Sequence, residues 1–125
     1  MQAAYIESFN NKLTEFVKDL GVAFPDIHDI TMLRTSLTLA KNVDSGLPQR
    51  LFHEHVASPF GDRILASDEG FFMQYDYKDL SKIHGVEIDI VGKIKGVWHE
   101  LSPENQHAIW KYLHVLVVLS RKCVA

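Results

Sequence analysis

The stretch from Ser102 to Arg121 restricts the fold more than any other part of the chain. It opens with Ser102-Pro103-Glu104. A serine hydroxyl caps a helix N-terminus, proline is preset for the first helical position, and a carboxylate suits the positive end of the helix dipole. Polarity then falls away. Ile109, Trp110, Tyr112, Leu113, Val115, Leu116, Val117, Val118 and Leu119 leave almost no polar face before Arg121-Lys122. A surface helix carries one apolar stripe, whereas a helix apolar nearly all round is covered on several sides. The last helix is therefore expected to be the pillar of the domain, with Leu113, Leu116 and Val117 as core.

Upstream segments supply apolar faces to surround it. Ile6, Phe9, Leu13, Phe16, Val17 and Leu20 recur at three- and four-residue steps, predicting a first helix from about Ala3 to Leu20. Gly21 reads as its left-handed C-terminal cap, and Pro25 forces an extended link at Phe24. A second helix is predicted from Asp26 or Asp29, with Ile27, Ile30, Leu37 and Ala40 in period. Asn42 to Gly46 is a loop. Pro48 opens a third helix to about Ala57, and Ser58-Pro59 is expected to start a separate short one ending near Leu65. Phe71, Phe72, Tyr75 and Tyr77 mark an aromatic segment, read as a helical turn followed by loop through Lys82. Ile90, Ile94, Val97, Trp98 and Leu101 mark the buried face of a helix from about Glu87 to Leu101, with Val91 beside it and Gly92 and Gly96 read as a site of close helix approach. The short hinge at Leu101-Ser102-Pro103 pairs it with the last helix as an antiparallel hairpin. The fold class is all-α: a compact single domain over residues 1–125, with five or six helices and a C-terminal hairpin around a buried last helix.

Motifs that carry chemistry are scarce. Seven histidines raise the question of a metal. His53 and His55 point in opposite directions on a helix, and no HExxH spacing or acidic pair joins His107 and His114, which share one face with His99 near by. No metal or cofactor is expected. Glu100 at a helix end and Cys123 near the terminus lack the neighbours that would activate them. Gly92 to Gly96 follows no strand and is no phosphate loop; Asp76 to Asp79 lacks the central glycine of a calcium loop. No residue set for an enzyme emerges. A net charge of −3 argues against a general phosphate-binding surface. A modest basic edge of Lys93, Lys95, Lys111, Arg121 and Lys122 keeps a nucleic-acid-binding accessory role as one alternative. With one cysteine, no intrachain disulfide forms, and a reducing intracellular compartment is expected. Met1-Gln2-Ala3-Ala4 leads straight into an amphipathic pattern, so no signal peptide is expected, and the apolar run Val115–Leu119 is too short to span a bilayer.

Two stretches resemble a known group. Phe9-Asn10-Asn11-Lys12-Leu13-Thr14-Glu15-Phe16-Val17-Lys18-Asp19-Leu20, running into Val22-Ala23-Phe24-Pro25, and Ile109-Trp110-Lys111-Tyr112-Leu113, running on to Leu116 and Leu119, are similar to small helical proteins of large DNA viruses of algae and protists. The resemblance covers the two ends of the chain. It implies a compact helical protein that acts by contact, as a minor capsid or assembly component in the host cytoplasm and the virion, with other proteins or itself as partners. The expected interaction surface is Phe71, Phe72, Tyr75, Tyr77 and Trp98. A regulatory module that holds a partner helix in a groove bordered by Phe71, Phe72 and Trp98 is the other alternative.

Overall fold

Two long helices, α1 (Gln2–Ala23) and α7 (Pro103–Cys123), lie antiparallel over their whole length in a computed structural model that describes residues 2–74 and 90–123. Their register is set at both ends. Lys122 sits over the Tyr5 ring at 5.5 Å, and Phe16 stacks on Tyr112 at 4.9 Å. Each helix is about 30 Å long at 1.5 Å per residue, so the seam runs the length of the domain. Around it come α2 (His28–Val43), α3 (Leu47–Phe52), a π turn (His53–Ala57), α4 (Ser58–Leu65), α5 (Glu69–Gln74), α6 (Ile90–Val97) and a 3₁₀ turn (Trp98–Glu100). Since α3, the π turn and α4 run on without a break, the described residues form six rods. The domain is all-α, as the sequence pattern predicts. Tyr75, Tyr77, the loop expected through Lys82 and the helix start at Glu87 lie outside the described residues, as does the side-chain burial expected of Ile90 and Val91.

The last helix begins as its sequence requires. Ser102 Oγ accepts the backbone N–H of Asn105 at 3.1 Å, and the Ser102 carbonyl accepts that of Gln106 at 3.0 Å. Leu116, Val117, Ser120 and Cys123 form its buried stripe, with Leu116, Val117 and Ser120 all fully covered. Two apolar clusters meet the pillar. Val17, Leu20, Phe24 and Ile30 gather the ends of α1 and α2 with Ile94, Val97 and Leu101 of the α6 arm and Ile109 of α7. Phe60, Ile64 and Val117 join α4 to α7, with Phe71, Phe72 and Leu113 packed on them. Complete burial of a Phe or Leu side chain contributes about 1.5–3 kcal/mol. Phe9 and Leu116, both fully covered, are therefore among the largest single contributors.

Three local expectations change. The first helix continues through Gly21 to Ala23, because Leu20 O accepts Phe24 N–H at 2.8 Å and Gly21 packs against Ile30. Ser58-Pro59 opens the expected short helix, α4, but as a continuation of the π turn and not after a break. Pro59 lacks an N–H and its ring crowds the carbonyl one turn earlier, yet the chain stays helical by widening. Ser58 N–H reaches back five residues to His53 O, and this π turn absorbs the proline without a break. Gly96 meets nothing within 4 Å, so it marks open space rather than close helix approach. At Gly61 the neighbours come closer: a Cβ there would stand 2.5 Å from Arg121 Nη2, the end of a flexible side chain that can shift, and 3.4 Å from Val117 Cγ1.

A small polar cluster fixes the pillar sideways. Gln49, 3% exposed, donates through Nε2 to Ser120 O at 3.1 Å and to Ser120 Oγ at 3.3 Å. Ser120 Oγ also bonds His53 Nδ1 at 3.2 Å. A buried hydroxyl is costly unless paired, and here the pairing ties the α3–π segment to the last turns of α7. Leu116→Ala is expected to lower the unfolding free energy by about 2–5 kcal/mol. Val118→Ala, at a side chain 43% exposed on the same helix, is expected to change it by no more than about 0.5 kcal/mol. Urea denaturation of both variants checks the contrast; equal losses would contradict the assignment of the buried stripe.

Candidate functional site

Of the aromatic residues singled out from the sequence, Phe71, Phe72 and Trp98 join one cluster through Trp110 of α7, while Tyr75 and Tyr77 lie outside the described residues. Phe71 and Phe72 on α5 meet edge to face at 5.3 Å, and both tilt against Phe60. Phe72 lies 5.5 Å from Trp110 on α7, and Trp110 lies 6.1 Å from Trp98. The result is a continuous ladder from Phe60 to Trp98. Phe71 and Phe72 are half-buried, with the Arg63 guanidinium 4.6 Å over the Phe71 ring. Trp98 is 6% exposed, and its indole N–H donates to Glu69 Oε1. Trp98 is thus a core residue that pins α5 to the 3₁₀ turn. Gln106 Nε2 closes the same corner by donating to Trp98 O at 2.8 Å.

Above this ladder lies an open cleft of about 350 Å³ between the α4–α5 turn and the outward face of α7. Ser67 forms one wall, and Gln106, His107, Trp110, Lys111 and His114 form the other, on successive helical turns. His107 and His114 therefore share a face, as their seven-residue spacing predicts. His99 is exposed and does not line the cleft. Among the described residues no group of three or more His, Cys, Asp or Glu side chains is placed to hold a metal ion.

Ser67 takes a positive φ of 50°, which disfavours a residue with a Cβ. Its position explains why. Asp68 N–H returns to Arg63 O at 3.0 Å and Ser67 N–H to Ile64 O at 2.9 Å, the paired bonds of a Schellman C-terminus. Glycine is the cheap residue there, yet a serine stands in its place. Its Oγ shares a 3.1 Å hydrogen bond with His114 Nε2. Geometrically this is a nucleophile beside a base. Among the described residues no carboxylate orients His114, and the Ser67 N–H is already spent on Ile64 O, so the pair lacks the rest of an acyl-transfer site. Asp68 caps α5 through Phe71 N–H at 3.2 Å. Its carboxyl is held below the usual range, first by Arg63 and then by that N–H.

The basic residues do not line up as one edge. Lys93 pairs with Asp29 at 2.7 Å, Arg121 with Asp62 at 2.9 Å, and Lys122 covers Tyr5. Lys111 alone of the five lines the cleft. A second hollow of about 400 Å³ lies between the end of α1 and the start of α7, over Phe16, Phe24, Ile109 and Tyr112.

The outer side of α2 carries an exposed apolar stripe. Met32, Leu39 and Val43 are 48%, 61% and 84% exposed. They are seven and four residues apart, so they share one stripe about 16 Å long. Thr35, Ser36 and Asn42 lie beside them, and no Lys, Arg, Asp or Glu interrupts. Among the described residues no helix is long and apolar enough to cross a membrane. The sequence signal was present, since Ile30, Leu33 and Leu37 already fill the inner face. Comparison with protein-family models, with curated proteins and with solved structures finds no match.

Two expected outcomes follow from this geometry. Ser67→Gly should be more stable than Ser67→Ala by about 1 kcal/mol, because both lose the hydroxyl but only alanine keeps the left-handed strain. Thermal unfolding of the two variants measures it. The Tyr112 phenol is pushed well above its ordinary value by burial first, then by its bonds to Asp19 and Glu15. The folded state thus keeps a proton that the unfolded chain releases, so stability should begin to fall once pH passes about 10. Urea denaturation on either side of about pH 10 measures the fall, and Tyr112→Phe should remove its share of it.

Proposed function

We propose that this protein works by contact, as a component of an assembly, and that the outer face of α2 is the surface it presents. The observation that carries the reading is the uncharged stripe of Met32, Leu39 and Val43, exposed at 48%, 61% and 84%. A surface helix ordinarily spends its outer face on charge. Here α1 and α3 cover the inner side of α2, and the outer side keeps three large apolar groups clear of charge. Apolar side chains scattered singly need no explanation, but a stripe of them on one helix face does.

The occupant that fits is a second copy. A two-fold axis between Leu37 and Thr38 sets two α2 helices antiparallel. Met32 then lies opposite the partner's Val43, and Leu39 opposite the partner's Ser36, so large faces large at the ends and large faces small near the centre. An isologous interface must complement itself in this way. No like charges meet within the stripe, so a chain of net charge −3 pairs there without local repulsion. A pair of single helix faces covers less than the roughly 1,200 Å² of a stable interface, so the contact is weak alone and gains strength by repetition. The resemblance of the two chain ends to helical proteins of large DNA viruses supports reading the assembly as a viral particle or its precursor.

Sedimentation across about 10–500 μM, the range in which contacts of this size associate, tests the pairing. The wild-type mass should rise toward a dimer with concentration, while Leu39→Glu should stay monomeric with unchanged circular dichroism. A wild-type monomer throughout, or a dimer that Leu39→Glu leaves intact, would overturn the α2 reading. Absence of the protein from purified virions would remove the particle role separately.

A further inference from the structure

We propose that the cleft over Trp110 binds a single phosphate carried on a ligand with a flat aromatic ring, the class to which nucleoside monophosphates belong. This goes beyond the α2 reading and uses a different surface, so either can fail alone. The cleft presents donors and an aromatic ring but no carboxylate. Lys111, His107 and His114 project from successive turns of α7, and Ser67 Oγ faces them from the α4–α5 turn. Every other cationic side chain that sequence analysis assigned to the basic edge has a partner elsewhere: Lys93 on Asp29, Arg121 on Asp62, Lys122 over Tyr5, and Lys95 on a contact of its own. Lys111 has no carboxylate partner among the described residues. One full cation backed by neutral donors matches one phosphate rather than a chain of them.

The ring requirement comes from Trp110. It is half-buried, and Phe72 and Trp98 hold it at 5.5 and 6.1 Å, so its position in the cleft is fixed by packing. A flat ring stacked on a preset indole costs little ordering and contributes about 1–3 kcal/mol in comparable base–aromatic contacts. The cleft volume of about 350 Å³ lies at the small end of ligand pockets, which suits one ring and one phosphate and not a longer chain. The positive end of the α7 dipole, at Pro103, borders the same cleft. Ser67 supplies an independent indication. A hydroxyl is kept at a φ of 50°, where glycine would be cheaper, and strain of that kind persists where the side chain is used.

Calorimetric titration of the full chain tests this with four probes: adenosine monophosphate, adenosine, inorganic phosphate and a short single-stranded oligodeoxynucleotide. The monophosphate should bind with a dissociation constant of about 0.1–1 mM, and adenosine and phosphate should each bind at least about tenfold more weakly. One of the two tryptophan indole N–H resonances should shift on binding. Lys111→Glu should weaken the monophosphate about tenfold or more with unchanged circular dichroism, and His107→Ala, at another exposed position, should weaken it less. No binding at 5 mM (about the limit set by such weak constants) would overturn the proposal. So would equal binding of adenosine or of phosphate alone, binding of the oligonucleotide only, or an affinity unmoved by both substitutions.

Discussion

The antiparallel seam between α1 and α7 is the contact on which the other packing relationships depend. It joins the two chain ends, and both apolar clusters are built against it. Phe9 and Leu116 are fully buried at this centre, and Phe16 on Tyr112 sets the register. α2 lies back along α1, α4 and α5 pack along α7, and the α6 arm caps the end where Phe24 and Ile30 meet. Closing a loop across nearly the whole chain costs conformational entropy that rises only slowly with length, and continuous apolar burial offsets it.

Apolar burial is non-directional, so it does not by itself decide how far one helix slides along another. Directional groups do. Ser120, at the end of the apolar run and fully buried, is bonded to both Gln49 and His53. Sliding α7 by one turn would strand that hydroxyl and amide in the interior, at a cost of about 1–3 kcal/mol for each unpaired group. The π turn beside them lets the helix pass Pro59 and carries α4 on to the point where Arg121 reaches across Gly61 to Asp62. The same continuity delivers Ser67 to the wall of the cleft.

Charge is distributed to match. Asp44 with Arg50, and Asp68 with Arg63, close the turns before α3 and α5, and each carboxyl is held below its usual range by its arginine. Lys93 and Arg121 are used between elements. Among the described residues, the outer stripe of α2 carries no charge, and Lys111 in the cleft has no carboxylate partner. Both lie on outward faces of helices whose inward faces are fully occupied. For that reason neither is needed to explain the fold.

The helical class, the capped start at Ser102 and the burial of Leu116 and Val117 were determined by the sequence, because helical period and capping chemistry act over three or four residues. The aromatic segment was legible as a cluster, but its partners were not. The period already put Trp98 on a buried face, but only packing joined it, through Trp110, to the aromatic rings of α5. Gly21 reads as a cap and Ser58-Pro59 as a separate start under local rules alone. Contact with Ile30 and the π turn that accepts Pro59 overrode those rules with longer-range packing. The inner face of α2 was legible from its period, but whether anything covers the second stripe, Met32, Leu39 and Val43, was not. That was decided by tertiary structure, because α1 and α3 can bury one side of α2 and have no surface left to bury the other.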